Sequence, residues 1–376
     1  MRSLTFLSIL IGVFLDNLLF NVLIPVLPFY AQTFHISHTE IGWLISSYTL
    51  ALLCTVFISG ILTDRYGAAK VFLLGSALLV QAVFLLKIAE SFPLMIAARV
   101  LQGISAGFTW VAGFSYVAKY SPPENVSRNL IIVQSGMGVA EFTGPVIGGF
   151  LYERGGAGLL FNTLLVVSAF NLLLRVAVWG ESPQRQGGSS RIDFSPLRDR
   201  TILRLSLIYL CGGFLLSLGD PILPIFLRQY YALSESRVSL AFLAITSSYY
   251  AFALPLTAYI RHNGLIYAGI ALSSIALILV FMPWESLLYL FTALLFFGFA
   301  TGIFIIPVVS RIAEAVSDAK SDSYGVAFSS GQWAYTLGMF IGPIASTQLA
   351  EYFPYARVAQ ILAVVPVLLL LLIRRV

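Results

Sequence analysis

The stretch GILTDRYGAAK, residues 60–70, lies between two long apolar runs and decides how the rest of the chain is interpreted. It carries three charged side chains, Asp64, Arg65 and Lys70, within one short segment. Basic residues in short loops of membrane proteins concentrate on the cytoplasmic side. The stretch therefore indicates a cytoplasmic loop between two transmembrane helices.

The composition of the whole chain agrees with a membrane protein. Of its 376 residues, 59% are hydrophobic and only 10% are charged, and the mean hydropathy is +0.90. A soluble domain carries about 25% charged residues, so most of this chain cannot face water. Apolar runs recur near the length of about 20 residues that crosses a hydrocarbon core. The predicted spans lie near residues 4–29, 41–62, 71–90, 93–117, 129–152, 157–180, 202–228, 236–260, 264–283, 286–309, 323–349 and 354–373.

The sequence thus predicts an all-α integral membrane protein with twelve transmembrane helices, which leaves little room for a soluble enzyme domain. It contains no phosphate-binding loop of the kind that ATP-driven pumps use. His35 and His38 flank a predicted outer loop without a third metal ligand in view. We therefore expect no enzyme activity, no cofactor and no metal site.

The net charge of +5 follows the expected membrane topology. With the N-terminus inside, most basic residues fall in cytoplasmic loops and ends, and the outer side holds only Lys87, Arg154, Arg228, Arg237 and Arg357. This asymmetry obeys the positive-inside rule. We therefore expect both termini in the cytoplasm, a multi-pass location in the cell (inner or plasma) membrane, and no nucleic-acid partner.

The chain is predicted to form two pseudo-symmetric six-helix bundles, over residues 1–180 and 201–376. The connecting residues 181–200 are rich in Gly, Ser, Pro and Arg, which is typical of a flexible cytoplasmic linker. Landmarks of the first half recur in the second at offsets of 195 to 198 residues. The pairs are Pro25-x-x-Pro28 with Pro221-x-x-Pro224, Arg65 with Arg261, Gly103-x-x-x-Gly107 with Gly298-x-x-x-Gly302, and Gly144-Pro145 with Gly342-Pro343. Such repeats are common in secondary transporters, whose substrate site lies between them near the bilayer midplane.

Four ionisable residues stand out inside predicted spans, where charge is costly and therefore indicates function: Asp16, Arg99, Glu141 and Asp220. Asp16 lies about 12 residues into its span, or about 18 Å at 1.5 Å per residue, which is midplane depth. A carboxyl group there can hold either a proton or a substrate ammonium group, and this competition is the simplest basis for antiport. The alternative is a static ion pair between Asp16 and Arg99 that holds two helices together.

Three segments resemble signatures of the major facilitator superfamily of transporters. Residues 60–70 are similar to its G-x-L-x-D-R-x-G-x-K loop, Arg99-x-x-Gln102-Gly103 to its fourth-span motif, and residues 140–149 to the fifth-span motif of its antiporters. The resemblance implies that Arg99 tunes proton affinity. It also implies that the fifth-span glycines and proline pack closely and bend against the other half. Seven residues would act in conformational gating: Gly60, Asp64, Arg65, Gly67, Lys70, Gly144 and Pro145.

The first and seventh spans narrow this resemblance to one group within the superfamily. Asp16-Asn17 with the following prolines, and Asp220-Pro221 with Pro224, are similar to segments of the vesicular amine transporters, in the twelve-span drug:proton antiporter group. Two positions depart from that family, because an eleventh-span aspartate falls on Gln332 and a second-span lysine on Tyr48. From the intramembrane charges and this resemblance we expect proton and substrate binding at Asp16, Asp220, Glu141, Arg99, Asn17 and Gln332.

The combined pattern favours a proton-coupled antiporter for the efflux of small lipophilic or cationic compounds, such as drugs or amines, by alternating access. Its partners would be that substrate, protons and the lipid bilayer, and we expect a monomer. A second hypothesis is an exporter of an anionic or zwitterionic metabolite, such as a sugar or siderophore, with Arg99 as a substrate ligand. A third is a receptor or assembly factor that keeps the fold without transporting.

Overall fold

The computed structural model describes residues 3–121, 125–178, 199–259, 263–318 and 324–375, which form helices and short connections without any β-strand. The helices in this part of the chain are α1 (Ser3–Leu23), α2 (Leu27–Gln32), α3 (His38–Tyr66), α4 (Ala68–Lys87), α5 (Phe92–Tyr120), α6 (Val126–Val178), α7 (Arg200–Ser217), α8 (Gly219–Tyr231), α9 (Glu235–Ser248), α10 (Leu254–Tyr259), α11 (Asn263–Val280), α12 (Leu287–Asp318), α13 (Tyr324–Ala350) and α14 (Tyr355–Arg375). A π-helix, Tyr249–Ala253, joins α9 to α10.

Twelve membrane crossings follow from these described helices. Seven of them, α3, α4, α5, α11, α12, α13 and α14, each make one crossing. The pairs α1–α2 and α7–α8 and the run α9–π–α10 each make one interrupted crossing, and α6 makes two. Eight stretches are long and apolar enough to span a membrane on their own. The predicted all-α fold with twelve transmembrane helices is confirmed.

The two crossings within α6 are separated by a glycine pair. Gly155 and Gly156 leave helical geometry, with φ of −146° and 59°. The second value lies in the left-handed region, which glycine adopts without the steric cost that a Cβ brings. The break coincides with the predicted gap between the fifth and sixth spans, so here the sequence placed the turn correctly.

The first and seventh crossings are interrupted at matching places. α1 ends at Leu23 and α2 begins at Leu27, while α7 ends at Ser217 and α8 begins at Gly219. Each break lies at the start of the repeated Pro-x-x-Pro segment. Proline has no backbone N–H and clashes with the preceding helical turn, which explains why both helices break there. The internal repeat predicted from the sequence is therefore also visible in the local structure.

The chain divides into two compact units, residues 1–36 with 47–189 and residues 37–46 with 190–376. The predicted division is similar, except that residues 37–46 were assigned to the first bundle. Most of the predicted linker, residues 181–198, lies outside the described residues. The bundle boundaries therefore stay a prediction.

Residues 37–46, at the start of α3, are tied to the rest of the second unit by hydrogen bonds. The Ser46 hydroxyl donates to the carbonyl oxygen of Phe340 at 2.8 Å, and the Thr39 backbone N–H donates to Glu351 Oε1 at 3.1 Å. Hydrogen bonds from the side chain and backbone of Thr39 hold the pKa of Glu351 below its usual range. These contacts explain why the beginning of α3 groups with α13 and its C-terminal connection.

Repeated glycines bring equivalent pairs of helices into close contact within each unit. A Cβ at Gly103 would overlap the carbonyl oxygen of Tyr48, so α5 lies directly against α3 in the first unit. A Cβ at Gly298 would overlap the carbonyl oxygen of Ile245, so α12 lies against α9 in the second. Small residues allow helix backbones to approach in this way inside a membrane. The two glycine motifs therefore have the same structural role in both halves, which is to allow close packing of two helices.

The glycines of the fifth-span motif pack closely inside the first unit. A Cβ at Gly144 would lie 3.2 Å from the backbone nitrogen of Val22, and one at Gly148 would overlap the Val22 carbonyl oxygen. Both glycines therefore pack against α1 of their own unit, and the expected packing against the other half stays a prediction. The equivalent Gly342 of α13 packs against the backbone of Phe214 in α7.

Candidate functional site

Asp16 is enclosed within the first unit with an incompletely satisfied carboxyl group. Only 2% of its surface is exposed, and its Oδ2 has no hydrogen-bond partner. Its Oδ1 lies 3.4 Å from Ser105 Oγ, which donates its own hydrogen to the Gly75 carbonyl oxygen at 2.8 Å. A serine hydroxyl has one hydrogen and two lone pairs. The arrangement thus accommodates a protonated Asp16 that donates to Ser105.

Further polar atoms near Asp16 also lack partners. The indole of Trp110, on α5, lies close enough to interact with the Asp16 carboxyl, yet its Nε1 meets no acceptor in hydrogen-bond geometry. Tyr48 interacts electrostatically with Asp16, and its buried hydroxyl is likewise unsatisfied. Buried polar groups are nearly always hydrogen-bonded in native proteins, to protein or to water. The surroundings of Asp16 are therefore suited to a polar ligand or proton that completes these bonds.

Arg99 is held by aromatic rings and an amide. Its exposure is 1%, and its Nη1 donates to Gln102 Oε1 at 2.6 Å. The guanidinium carbon lies 4.8 Å from the ring centre of Tyr48 and 5.6 Å from that of Phe20, and these two rings stack at 4.3 Å. Cation–π contacts of this kind are strengthened by burial. The alternative of a static ion pair between Asp16 and Arg99 stays a prediction.

Asn17 connects two helices of the first unit. Its Nδ2 donates to the carbonyl oxygen of Met137 in α6 at 2.9 Å, and it receives a hydrogen bond from Asn21 at 3.2 Å. The amide is therefore engaged in packing α1 against α6 beside the fifth-span glycines. Its predicted role in substrate binding stays a prediction.

The remaining predicted binding residues are distributed over both units. Glu141 is half-buried on α6 in the first unit. Asp220, 9% exposed, and the exposed Gln332 lie in the second unit, on α8 and α13. Within the first unit the structure brings Tyr48 together with Asp16 and Arg99. The sequence analysis had treated Tyr48 only as a position that departs from the vesicular amine transporters.

The loop from residues 60–70 contains one position that needs glycine. Gly67 joins α3 to α4 with φ of 90°, which an L side chain rarely adopts. Arg65 and Lys70 are exposed, and the Arg65 guanidinium lies 5.3 Å from the Tyr66 ring. The side chain of Asp64 lies outside the described residues, so its gating role stays a prediction along with the others.

Two glycines of this loop are expected to respond oppositely to alanine. Gly67→Ala should destabilise the protein by about 1–2 kcal/mol, because a Cβ in left-handed geometry is strained. Gly60→Ala should stabilise it by about 0.5–1 kcal/mol, because Gly60 is inside α3 and helical alanine loses less entropy. Among the described residues, no heavy atom would meet a Cβ at either position within 4 Å. Thermal unfolding of both variants in detergent checks this, and equal shifts would contradict it.

One buried cation escaped the sequence analysis. Arg175 lies near the cytoplasmic end of the predicted sixth span, where basic residues are common, and the sequence analysis therefore did not select it. Its exposure is only 8%, and it is enclosed between α1, α4 and α6. The available signal was Asn171, one helical turn earlier in the same apolar span, because two polar residues four apart share a helix face.

Sequence comparisons identify a family and several proteins to which the chain is similar. A sequence model of the Major Facilitator Superfamily matches residues 9–328. The chain is 34% identical over 180 residues to the MFS-type transporter ppzB of Metarhizium rileyi (strain RCEF 4871), covering 46% of this chain and 36% of the relative. It is 27% identical over 186 residues to "Probable vesicular acetylcholine transporter-B" of Danio rerio, covering 47% and 38%. The matched segment spans well under half the length of each of these relatives.

The fold is similar to that of a bacterial homologue of the human lysosomal transporter Spinster, solved in an inward-facing and occupied conformation. The TM-score is 0.78 at 16% identity, and the similarity covers 99% of this chain and 95% of that one. At this level of identity the likeness concerns the fold alone. Since the superfamily's sequence pattern extends over residues 9–328 and the described helices form its twelve-span architecture, the chain belongs to the Major Facilitator Superfamily, whose members are membrane transporters rather than enzymes.

Proposed function

We propose that this transporter exports small lipophilic or cationic compounds in exchange for protons. The observation that carries the proposal is the buried carboxyl of Asp16, one oxygen of which has no hydrogen-bond partner. An ionisable group inside a membrane has a high free-energy cost, and it usually marks a pathway or binding site for protons or ions. The likeness to a vesicular acetylcholine transporter supports a substrate that carries positive charge.

The proposed cycle uses Asp16 as a shared site. In one state the carboxyl holds a proton, and in the other its carboxylate pairs with the cationic group of the substrate, so that each displaces the other. Tyr48 and Phe20 stack on each other and hold the guanidinium of Arg99 by cation–π contacts, which would keep this charge available to tune the proton affinity of Asp16. Asp220 and Glu141 would serve as further proton or cation sites, and Asn17 and Gln332 as polar substrate contacts.

Other parts of the proposal concern topology and gating. We infer from the charge distribution that both termini are cytoplasmic in a cell (inner or plasma) membrane. The loop of residues 60–70 would close the cytoplasmic side, and Gly144 with Pro145 would shape α6 during the cycle. The transporter would act as a monomer.

The proposal predicts that substrate cations displace protons from the purified protein. Tetraphenylphosphonium added to protein in weakly buffered detergent solution should release protons stoichiometrically, and benzoate should release none. Asp16→Asn should abolish the release, because asparagine cannot bind a titratable proton. Glu153→Gln, which alters an exposed carboxyl on α6, is the matched control and should behave as wild type.

The outcomes separate the candidate functions. Release that persists in Asp16→Asn would move the proton site to Glu141 or Asp220. Absence of release with both probes, together with benzoate flux that is unchanged in Asp16→Asn, would favour the metabolite exporter, with Arg99 as a ligand for an anionic group. Absence of release with either probe, together with absence of flux, would contradict proton-coupled export and favour the non-transporting alternative.

A further inference from the structure

Arg175 is a buried cation without a carboxylate partner in the described residues. Its Nη1 donates to Ser8 Oγ at 3.2 Å, and its guanidinium carbon lies 3.6 Å from the ring centre of Phe72. Ser8 passes its own hydrogen to the Thr5 carbonyl oxygen at 3.0 Å, which leaves an oxygen lone pair for Arg175. One hydrogen bond and one ring do not neutralise a buried charge, and an uncompensated buried ion is strongly destabilising.

The unpaired atoms of Arg175 lie on one edge of its guanidinium. Nε and Nη2 are both buried and both lack a hydrogen-bond partner. Because the guanidinium is planar, these two N–H groups point the same way and form the fork that receives two oxygens of a carboxylate or phosphate. The structure therefore leaves free the edge that is shaped for an oxyanion.

A second unsatisfied group lies on the same face of α6. Asn171 precedes Arg175 by four residues, has no exposed surface, and leaves both Nδ2 and Oδ1 without partners. Residues four apart on a helix are neighbours on its surface. Four unsatisfied atoms from two adjacent buried side chains are unusual, because native interiors contain few such atoms. Together they offer three donors and one acceptor to a single small group.

Helix α1 supplies a cradle for this arrangement. A Cβ at Gly12 would overlap Nη2 of Arg175, so the guanidinium fits only because residue 12 lacks a side chain. Ser8, one turn earlier, lies about 8 Å along α1 from its start at Ser3, at 1.5 Å per residue. Arg175 correspondingly lies in the last turn of α6. The cluster is thus near the end of the bundle that is cytoplasmic in the topology proposed above.

We propose that Arg175 and Asn171 form a binding site for an oxyanion, a phosphate or carboxylate group, separate from the Asp16 cluster. Arg175 would bind two of its oxygens through Nε and Nη2, and the Asn171 amide would donate to a third or accept from a ligand hydroxyl. The four atoms are enclosed in this structure, so the oxyanion enters as the nearby ends of α1 and α6 separate. Its source is either a free anion or the headgroup of an anionic lipid.

Thermal stability of the full chain in neutral detergent tests the site, with inorganic phosphate as the probe. Replacing chloride by phosphate at constant ionic strength should raise the unfolding temperature saturably by about 2–4 °C. A parallel series in phosphate-free buffer compares micelles containing phosphatidylglycerol with micelles containing only neutral lipid. A rise with phosphate identifies a free oxyanion as ligand, and a rise with phosphatidylglycerol alone identifies a lipid headgroup.

Three variants assign the effect to the cluster. Arg175→Gln should lose the rise, whereas Arg154→Gln, which alters an exposed arginine stacked on Phe150 in the same helix, should keep it. Asn171→Leu covers the case in which Arg175→Gln fails to fold. Because Asn171→Leu removes two unsatisfied polar atoms, it should raise the unfolding temperature in chloride. It should also raise the phosphate concentration needed for half of the stabilising effect by about tenfold.

Two results would overturn the assignment. Equal unfolding temperatures in chloride, phosphate, neutral lipid and phosphatidylglycerol would mean that the cluster holds only water. A rise that persists undiminished in Arg175→Gln, or in Asn171→Leu if only that variant folds, would mean that the anion binds elsewhere. Neither result depends on whether Asp16 carries protons.

Discussion

Proteoliposomes whose interior is one pH unit more acidic than the medium are expected to accumulate a monovalent substrate cation about tenfold through the wild-type chain, since one pH unit supplies about 1.36 kcal/mol. Asp16→Asn is expected to accumulate none. Asparagine keeps the shape of the side chain but can neither carry a proton nor attract a cation, so the two fluxes are uncoupled. The internal concentration of radiolabelled tetraphenylphosphonium, relative to that outside, measures the effect.

Exchange of labelled for unlabelled cation at equal pH separates the two roles of Asp16. If the carboxylate also binds the substrate, Asp16→Asn loses exchange together with accumulation. If Asp16 carries only the proton, exchange persists while accumulation is lost. Accumulation by Asp16→Asn at the wild-type level would contradict the proposed role, and Glu153→Gln again serves as the matched control.

Gly148→Ala is expected to have the largest effect on stability, a loss of about 1–3 kcal/mol through overpacking. The added Cβ would overlap the carbonyl oxygen of Val22, a backbone atom of α1 that no side-chain rotation can move aside. Relief would require α1 and α6 to separate, which would also strain the hydrogen bond from Asn17 to Met137. The unfolding temperature and the yield of monodisperse protein in detergent report the change.

Gly158→Ala is the matched control for this substitution. Gly158 lies on the same helix beyond the Gly155–Gly156 break, and a Cβ there would meet no heavy atom within 4 Å in the part of the chain that the structure describes. Alanine at such a position should be neutral or slightly stabilising, by up to about 1 kcal/mol. Similar losses in both variants would show that α6 rejects alanine for reasons unrelated to its contact with α1.

Much of the fold could be predicted from the sequence because membrane burial acts locally. A span must be apolar along its whole length, so α4 and α12 follow directly from runs of hydrophobic residues. The break at Gly155–Gly156 follows from the backbone freedom of glycine. The paired helix contacts at Gly103 and Gly298 follow from the repeat, because close helix approach needs small residues.

The candidate site was predicted only in part. The intramembrane charges at Asp16 and Arg99 were found because each is costly in an apolar run, but the contacts of Arg99 with the rings of Tyr48 and Phe20 were not. The packing of Gly144 against the backbone of α1 was not predicted either. Sequence spacing shows which residues share a face of one helix, and it carries no information on which neighbour that face meets.

The sequence by itself determined that this chain is a twelve-span membrane protein of a repeated design, with an intramembrane carboxyl at Asp16. Only the tertiary structure decided which polar atoms remain unsatisfied, at Asp16 and at Asn171 with Arg175. The free energy of transferring apolar residues into lipid adds up residue by residue along the chain, so the sequence alone is enough to locate the spans. A hydrogen bond requires two atoms about 3 Å apart, and that depends on how each helix is rotated against its neighbours.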